Sequence, residues 1–363
     1  MNAHRLFTLR PTLPRLSPSE IGLWIAGALP LVLVALLLAT LLAVSPARAS
    51  DTTCHGENLL VAMEKDKPEE LAKIRAEAAK VPNGQGIFWK VEKEGLKPSY
   101  LLGTMHVTDP RVLTMPNGAR EAAAAADVVV IESDEILDEQ KAAASLLMHP
   151  ELTMFTDGKS VKDHLDAEEL AKLESGLKER GLALGAVARM KPWILASFVA
   201  LPACEMSRKA AGASFLDKQI AEDAVKAGKP IAGLETLVEQ LEAMADLPVD
   251  FHFKALIETI ALGDKMEDVI ETMTELYLAG DIGMTMPMLK AVAPTESGED
   301  ESAYAAFETR IVRDRNLVMA EGSKQHLANG NAFIAVGALH LPGEEGLVEL
   351  LRGQGFTVTR IDG

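Results

Sequence analysis

Continuous apolar runs alternate along this chain with segments in which apolar residues recur every three or four positions. Runs rich in β-branched residues, at 127–131 and 332–336, predict strands that are buried on both faces. Glu94-Gly95 separates two shorter runs, 86–92 and 99–102, and predicts a β-hairpin. Residues 229–234 and 356–361 complete the predicted strands.

Helical periodicity accounts for most of the remaining chain. Pro68 suits the first turn of a helix, Gly181 and Gly228 suit helix ends, and Thr236 with Glu239 forms a capping-box pattern. The predicted helices cover residues 67–80, 119–126, 166–180, 192–206, 214–227, 251–289 with a break near Gly280, 303–328 and 343–352. The polar residues 297–302 predict a loop.

Strands near both ends of the chain with helices between them predict an α/β fold. We expect a mixed central sheet flanked by helices, with a large helical insertion at about 137–228. The length of the chain from residue 50 to residue 363 is compatible with a single domain.

The first 49 residues form a segment of their own. Three arginines precede an uncharged, mostly apolar run at 21–44, and Ala47-x-Ala49 has the small-residue spacing of a signal peptidase site. A run of this length also suffices to span a bilayer, so the alternative is a retained N-terminal membrane anchor. Either reading places the domain outside the cytoplasm, as a periplasmic or secreted protein or one anchored in the inner membrane.

The charge of the domain excludes some partners. The chain has 36 Lys and Arg and 53 Asp and Glu, and removing the four basic residues and one acidic residue of the first 49 leaves a net charge of −20. Nucleic acids and anionic lipid surfaces require basic patches, so neither is an expected partner. Membrane contact is expected only through the N-terminal segment, if that is not cleaved.

Two cysteines, Cys54 and Cys204, follow that segment. In an oxidising compartment an even pair predicts one disulfide, which would tie the N-terminal arm to the helical middle of the chain. The alternative is a pair of unpaired buried thiols.

Three side chains with acid–base or metal-binding capacity follow predicted strands. His106 and His340 each close a Gly-x-x-His segment, beginning at Gly103 and Gly337, and Glu132 follows the run at 127–131. Residues just beyond the carboxyl ends of parallel strands gather in one crevice. Two imidazoles and a carboxylate form a common ligand set for a divalent metal, and the same trio can act as a metal-free acid–base group.

Two further residues are weaker candidates for the same site. Glu235 also follows a predicted strand, although an acid in the first turn of a helix is equally explained by the helix dipole. Arg315 lies on the predicted amphipathic helix and would suit a substrate carboxylate.

Short motifs follow one another in a distinctive order from residue 86 to the C-terminus. They are Leu102-Gly103-Thr104-Met105-His106-Val107, Val130-Ile131-Glu132-Ser133-Asp134, Lys191-Pro192-Trp193, Gly233-Leu234-Glu235-Thr236 with Gln240, Arg315-Asn316, and Val336-Gly337-Ala338-Leu339-His340-Leu341-Pro342-Gly343. This order resembles the TraB/GumN family, which includes the Tiki-type metalloproteases. The carboxylate segment departs slightly, with Glu-Ser-Asp where many members have Glu-Leu-Asp.

The resemblance implies a fold like that of erythromycin esterases and haem-binding ChaN proteins. It also implies that His106, Glu132 and His340 are the active-site or metal residues, with manganese or cobalt as the ion. We therefore expect an exported metal-dependent hydrolase, peptidase-like, that acts on a peptide or small-molecule substrate.

Two other functions would use the same residues. One is a non-catalytic protein whose cleft holds haem iron or a signalling peptide. The other is an accessory factor in polysaccharide or conjugation systems.

Overall fold

The computed structural model describes residues 53–292 and 305–362. Within these residues, six strands form one sheet: β1 (Phe88–Glu92), β2 (Ser99–Thr104), β3 (Val128–Ile131), β4 (Ile231–Gly233), β5 (Ala332–Gly337) and β6 (Thr357–Arg360). Their order across the sheet is β4-β3-β5-β2-β1-β6. The first four in this order run parallel, and β1 is antiparallel to both of its neighbours. The mixed α/β fold predicted from the sequence is confirmed.

Helices surround this sheet and fill the connections between strands. In chain order they are α1 (Leu59–Asp66), α2 (Pro68–Ala78), α3 (Ala119–Ala125), α4 (Glu139–Met148), α5 (Ala167–Glu179), α6 (Leu184–Val187), α7 (Pro192–Val199), α8 (Ala203–Ala210), α9 (Leu216–Lys226), α10 (Leu237–Ala245), α11 (Val249–Leu262), α12 (Lys265–Leu278), α13 (Thr285–Val292), α14 (Asp314–Leu327) and α15 (Leu347–Gly353). The segment from α4 to α9 lies between β3 and β4, in the region predicted as a helical insertion.

Some helix boundaries differ from the prediction. The single helix expected at 192–206 is two helices, α7 and α8, because Pro202 lacks an amide hydrogen and restricts the residue before it. The helical stretch expected at 251–289 has an additional break at Gly263, where φ is +52°. In the described part of the helix expected at 303–328, a π-helical turn, Glu308–Arg313, precedes α14.

Two predicted segments lie outside the described residues, namely the N-terminal segment 1–49 and the loop 297–302. Among the helices that are described, none combines the length and the apolar character needed to cross a membrane.

The sheet is buried on both faces, which explains the continuous apolar runs of its strands. Leu101 and Ile334 pack toward α14 and α15 on one face. Leu102 and Phe333, their neighbours in sequence, pack toward α3 and α9 on the other. All four side chains are 1% exposed or less. Because both faces are covered, the edge formed by the carboxyl ends of the parallel strands is the part of the sheet open to a ligand.

A disulfide joins Cys54 to Cys204, as predicted. It connects the segment ahead of α1 to the second residue of α8, 150 positions later in the chain. The N-terminal arm is therefore covalently attached to the helical region between β3 and β4.

Candidate active site

The four parallel strands bring the predicted residues to one edge of the sheet. His106, Glu132, Glu235 and His340 follow β2, β3, β4 and β5 respectively. Arg315, in the first turn of α14, reaches the same edge. His106, Glu132, Arg315 and His340 line one cavity of about 340 Å³. The expectation that these segments converge in one crevice agrees with this arrangement.

Glu132 is the centre of a buried network of charges. Its Oε2 accepts a hydrogen bond from Nη2 of Arg315 at 2.8 Å, and its Oε1 accepts one from the amide of Gly337 at 2.6 Å. Gln240 donates a longer bond of 3.4 Å to Oε2. Burial by itself would raise the pKa of Glu132, but the neighbouring imidazoles, Arg315 and the Gly337 amide lower this pKa to about 2. Glu132 is therefore an ionised carboxylate at neutral pH.

Glu235 is the second acid held by the same arginine. Nη2 of Arg315 lies 2.7 Å from Glu235 Oε2, and Nε lies 3.0 Å from that same oxygen. The guanidinium thus bridges two buried carboxylates and holds Glu132 in place. Arg315 also lines the cavity, and its contact with a substrate carboxylate stays a prediction.

His340 is buried, and its tautomer follows from its partner. Asn316 donates from Nδ2 to the carbonyl of Glu345 at 2.8 Å, so its Oδ1, 2.7 Å from His340 Nδ1, must accept. Nδ1 therefore carries the hydrogen and Nε2 the lone pair, and Nε2 lies 3.7 Å from Glu132 Oε1. Burial lowers the pKa of His340 to about 4, which leaves the ring unprotonated at neutral pH.

His106 has a different environment. Its Nε2 lies 3.5 Å from Oδ2 of Asp217, a carboxylate that is only 3% exposed. Thr104 donates to the other oxygen, Oδ1, at 2.7 Å. Burial lowers the pKa of His106, but the hydrogen bond and charge of Asp217 and the charge of Glu132 raise it by more, so the pKa lies above its usual value. Because 55% of the His106 side chain is exposed, solvent weakens this effect.

The glycines of the two Gly-x-x-His segments are explained by close approach. A Cβ on Gly103 would lie 3.0 Å from Cα of Ala338 and 2.7 Å from the side chain of Leu341. A Cβ on Gly337 would lie 3.1 Å from Glu132 Oε1. The first glycine lets the two histidine-bearing segments pack against each other, and the second lets the Gly337 amide reach the carboxylate.

Of the three predicted metal ligands, two have potential ligand atoms that lie close together, Nε2 of His340 and Oε1 of Glu132. Nε2 of His340 and Oε1 of Glu132 face each other, whereas Nε2 of His106 is directed at Asp217. Both oxygens of Glu132 already accept hydrogen bonds. Across residues 53–292 and 305–362, no three His, Cys, Asp or Glu side chains are grouped so as to hold a metal ion. In this arrangement Glu132 and His340 could supply two ligands to a metal, and His106 would have to turn away from Asp217 to supply a third.

A second cavity of about 380 Å³ adjoins the first and shares His106, Glu132, Ile311 and Arg315 with it. Its walls are largely apolar side chains from the segments around β3, α9 and α10. They include Ile136, Phe215, Leu237, Leu241 and Met244. The candidate residues therefore lie in the middle of a cleft that extends to both sides.

Asp217 and Asn316 were not foreseen as site residues. Asp217 is the second residue of α9, where an acid is already explained by the helix dipole, so the sequence carries no separate signal for it. Asn316 adjoins Arg315 in one of the short motifs, but its role depends on the distant carbonyl of Glu345. Asn316 is bonded to His340, and Asp217 lies within ion-pair distance of His106.

Comparisons with known proteins extend over most of the chain. The TraB/PrgY/gumN family pattern matches residues 87–360. The uncharacterized protein YbaP of Shigella flexneri is 21% identical over 262 residues, which cover 71% of this chain and 89% of YbaP. No solved structure matches.

Proposed function

The chain belongs to the TraB/PrgY/gumN family, and on that premise we propose that it is an exported hydrolase, peptidase-like, whose site is His106, Glu132 and His340. One observation carries this proposal. Two imidazoles line one cavity, and their surroundings shift their pKa values in opposite directions. Pairs of titratable groups with such opposed environments are the usual acid and base of a hydrolytic site.

His340 has the properties required of the base. Its residue lines the cavity, and its Nε2 carries a lone pair and is unprotonated at neutral pH. A water molecule placed there would give a proton to Nε2 while its oxygen attacks a substrate carbonyl carbon. The ionised Glu132 beside Nε2 would stabilise the imidazolium that forms.

His106 has the properties required of the acid. Its charged form is favoured by Asp217, and its ring is open to the cleft. In the second half of the reaction the bond to the leaving group breaks, and the leaving group takes a proton from His106. Proton exchange with solvent then restores both rings.

A divalent cation, manganese or cobalt, is a separate proposal that rests on the family resemblance. His340 and Glu132 are the two donors nearest to each other, and a three-ligand site would require His106 to turn away from Asp217. To test it, the metal content of purified wild type, His106→Ala and His340→Ala is measured with and without added manganese. Near-zero content in all three proteins would refute the cation.

Location outside the cytoplasm is supported by the Cys54–Cys204 disulfide, since disulfides persist in oxidising compartments. The N-terminus of the protein isolated from cells, read by mass spectrometry, distinguishes cleavage after Ala49 from a retained anchor. An intact N-terminus in the cytoplasmic fraction would contradict export.

The activity test uses a pool of peptides of mixed sequence with cleavage followed by mass spectrometry. We expect cleavage by the wild type and a loss of about 10²-fold or more in His340→Ala and in His106→Ala, as is typical when an acid or base is removed. His149→Ala is the matched control, because His149 lies outside both cavities and pairs with Glu151 on the surface. Equal cleavage by all four proteins would refute the assignment. Binding of peptides without cleavage would favour the non-catalytic alternative.

A further inference from the structure

A buried acid outside the cleft binds the segment that follows His106. Glu205, on α8, is 1% exposed, and neither cavity of the cleft includes it. Its Oε2 accepts hydrogen bonds from the amide of Thr108 at 2.9 Å and from the Thr108 hydroxyl at 2.8 Å. Thr108 is itself 2% exposed, so these bonds are shielded from water. A carboxylate that accepts two hydrogen bonds from one residue fixes the backbone two positions after His106.

The same segment is also bonded to α12. Arg111 donates to Glu271 at 2.6 Å and to Glu275 at 2.8 Å. Tyr277, near the end of α12, donates its hydroxyl hydrogen to the carbonyl of Gly103 at 2.9 Å. The stretch from Gly103 to Arg111, which contains His106, is therefore bonded to two helices, α8 and α12.

The N-terminal arm connects these two helices. Cys204, directly before Glu205, forms the disulfide with Cys54. Three to five residues after Cys54, the amide of Glu57 donates to Asp268 and the amide of Leu59 donates to Thr272, both at 2.8 Å and both on α12. The disulfide thus holds α8 against an arm that is itself bonded to α12.

We propose that Glu205 is a positioning residue that fixes His106 at the cleft through Thr108, and that the Cys54–Cys204 disulfide maintains this position by holding α8 in place. Only the expected effect of Glu205 on the rate of peptide cleavage rests on the proposed function. The geometric part, that the orientation of His106 depends on Glu205, is independent of any reaction. His340 accompanies a different helix, because its Nδ1 is bonded to Asn316 of α14, so it provides an internal reference.

The test compares the ring signals of His106 and His340 by NMR in the full chain labelled at histidine, with His106→Asn and His340→Asn used for assignment. The variants are Glu205→Ala, Glu205→Gln and Thr108→Val, and Glu179→Ala on the exposed face of α5 is the control. We expect Glu205→Ala to shift and broaden the His106 signals much more than those of His340. Glu205→Gln, which keeps an acceptor for the Thr108 amide, should restore most of the signal, and Thr108→Val should give a smaller change.

Two results would overturn the proposal. One is an unchanged His106 signal in Glu205→Ala. The other is an equal change at His106 and His340, which would mean that Glu205 supports the fold in general. If Glu205→Ala does not fold, the signals of Thr108→Val decide the question in the same way.

A separate variant tests the part of the proposal that concerns the disulfide. The double variant Cys54→Ser with Cys204→Ser should alter the His106 signals in the same direction as Glu205→Ala, and unchanged signals would remove the disulfide from the proposal.

Where the peptide assay shows cleavage, Glu205→Ala should lower kcat about tenfold or more with KM nearly unchanged, since misplacement of a reacting group lowers the rate. Absence of cleavage in the wild type would refute the proposed function and leave the NMR result intact.

Discussion

Among the described residues, Arg315 is the single residue that pairs with both buried glutamates of the candidate site. Its guanidinium lies between Glu132 and Glu235, and all three side chains are at most 13% exposed. Removing one partner of a buried ion pair leaves the other charge without compensation, which is costly.

We therefore predict that Arg315→Met lowers the free energy of unfolding by about 3–5 kcal/mol. Urea denaturation of the two proteins at neutral pH measures the difference. Arg313→Met is the control, because Arg313 pairs with Glu345 near the surface, where an ion pair contributes little. Equal stability of Arg315→Met and wild type would contradict the role assigned to Arg315.

His340 gives a prediction about pH. Its pKa falls from the ordinary 6.5 to about 4 on burial, so below pH 6.5 the unfolded chain binds the proton more readily than the folded one. The stability associated with the neutral ring is present above pH 6.5 and is lost as the pH falls toward 4. Wild type should therefore lose more stability than His340→Asn between about pH 7.5 and about pH 5, as measured by urea denaturation at both values. Parallel losses would show that His340 is not buried in its neutral form.

At the scale of elements, the parallel pairing of β2 with β5 brings the two Gly-x-x-His segments together. Thr104 of β2 lies opposite Gly337 of β5 at the end of this register. Gly103 of β2 and the segment that follows β5 are so near each other that a Cβ on Gly103 would overlap with Ala338 and Leu341.

Gly103→Ala should separate these two segments. The new methyl group would overlap with Ala338 and Leu341, and overpacking of this kind costs about 1–3 kcal/mol. We also expect activity to fall, since Ala338 and His340 belong to one 3₁₀ turn. Thermal unfolding and the peptide assay measure the two effects. Gly353→Ala is the control, because a Cβ on Gly353 would have nothing within 4 Å. Gly95→Ala would not serve, because φ at Gly95 is +80° and a side chain there is strained.

The elements that the sequence predicts best are those whose pattern reflects burial. The strands at 127–131 and 332–336 were predicted because both sheet faces are covered, which leaves only apolar residues in 128–131 and 332–336. The division between α7 and α8 was missed, although Pro202 marks it, because apolar residues continue on both sides. The π-helical turn before α14 leaves no pattern in sequence, since it alters the turn by one residue without changing its composition.

At the scale of the whole molecule, the site depends on residues that are far apart in the chain. The strand-end rule was enough to predict that His106, Glu132 and His340 follow strands of one sheet. It could not predict that His106 turns toward Asp217, because this contact spans 111 positions and depends on how α9 packs on the sheet. Local rules account for single elements, whereas the partners of the two histidines come from tertiary packing.

The disulfide also acts at this scale. It closes a loop of 150 residues, so it restricts the unfolded chain strongly. We predict that Cys54→Ser with Cys204→Ser lowers the free energy of unfolding by about 2–5 kcal/mol. Urea denaturation under non-reducing conditions measures this, with the wild type treated with a thiol reductant as a second comparison. No change in either comparison would mean that the bridge does not form in the purified protein.

The position of β5 has a consequence for the order in which the protein is made. β5 lies between β3 and β2, yet it is synthesised more than 200 residues after either of them begins. Until it arrives, β1 can pair only with β2, and β3 only with β4, so His106 and Glu132 follow strands of two separate pairs. A ribosome or an export channel delivers the N-terminal part first. A chain still in transit therefore carries no assembled site, and whatever chemistry the cleft performs begins only after almost the entire polypeptide has emerged.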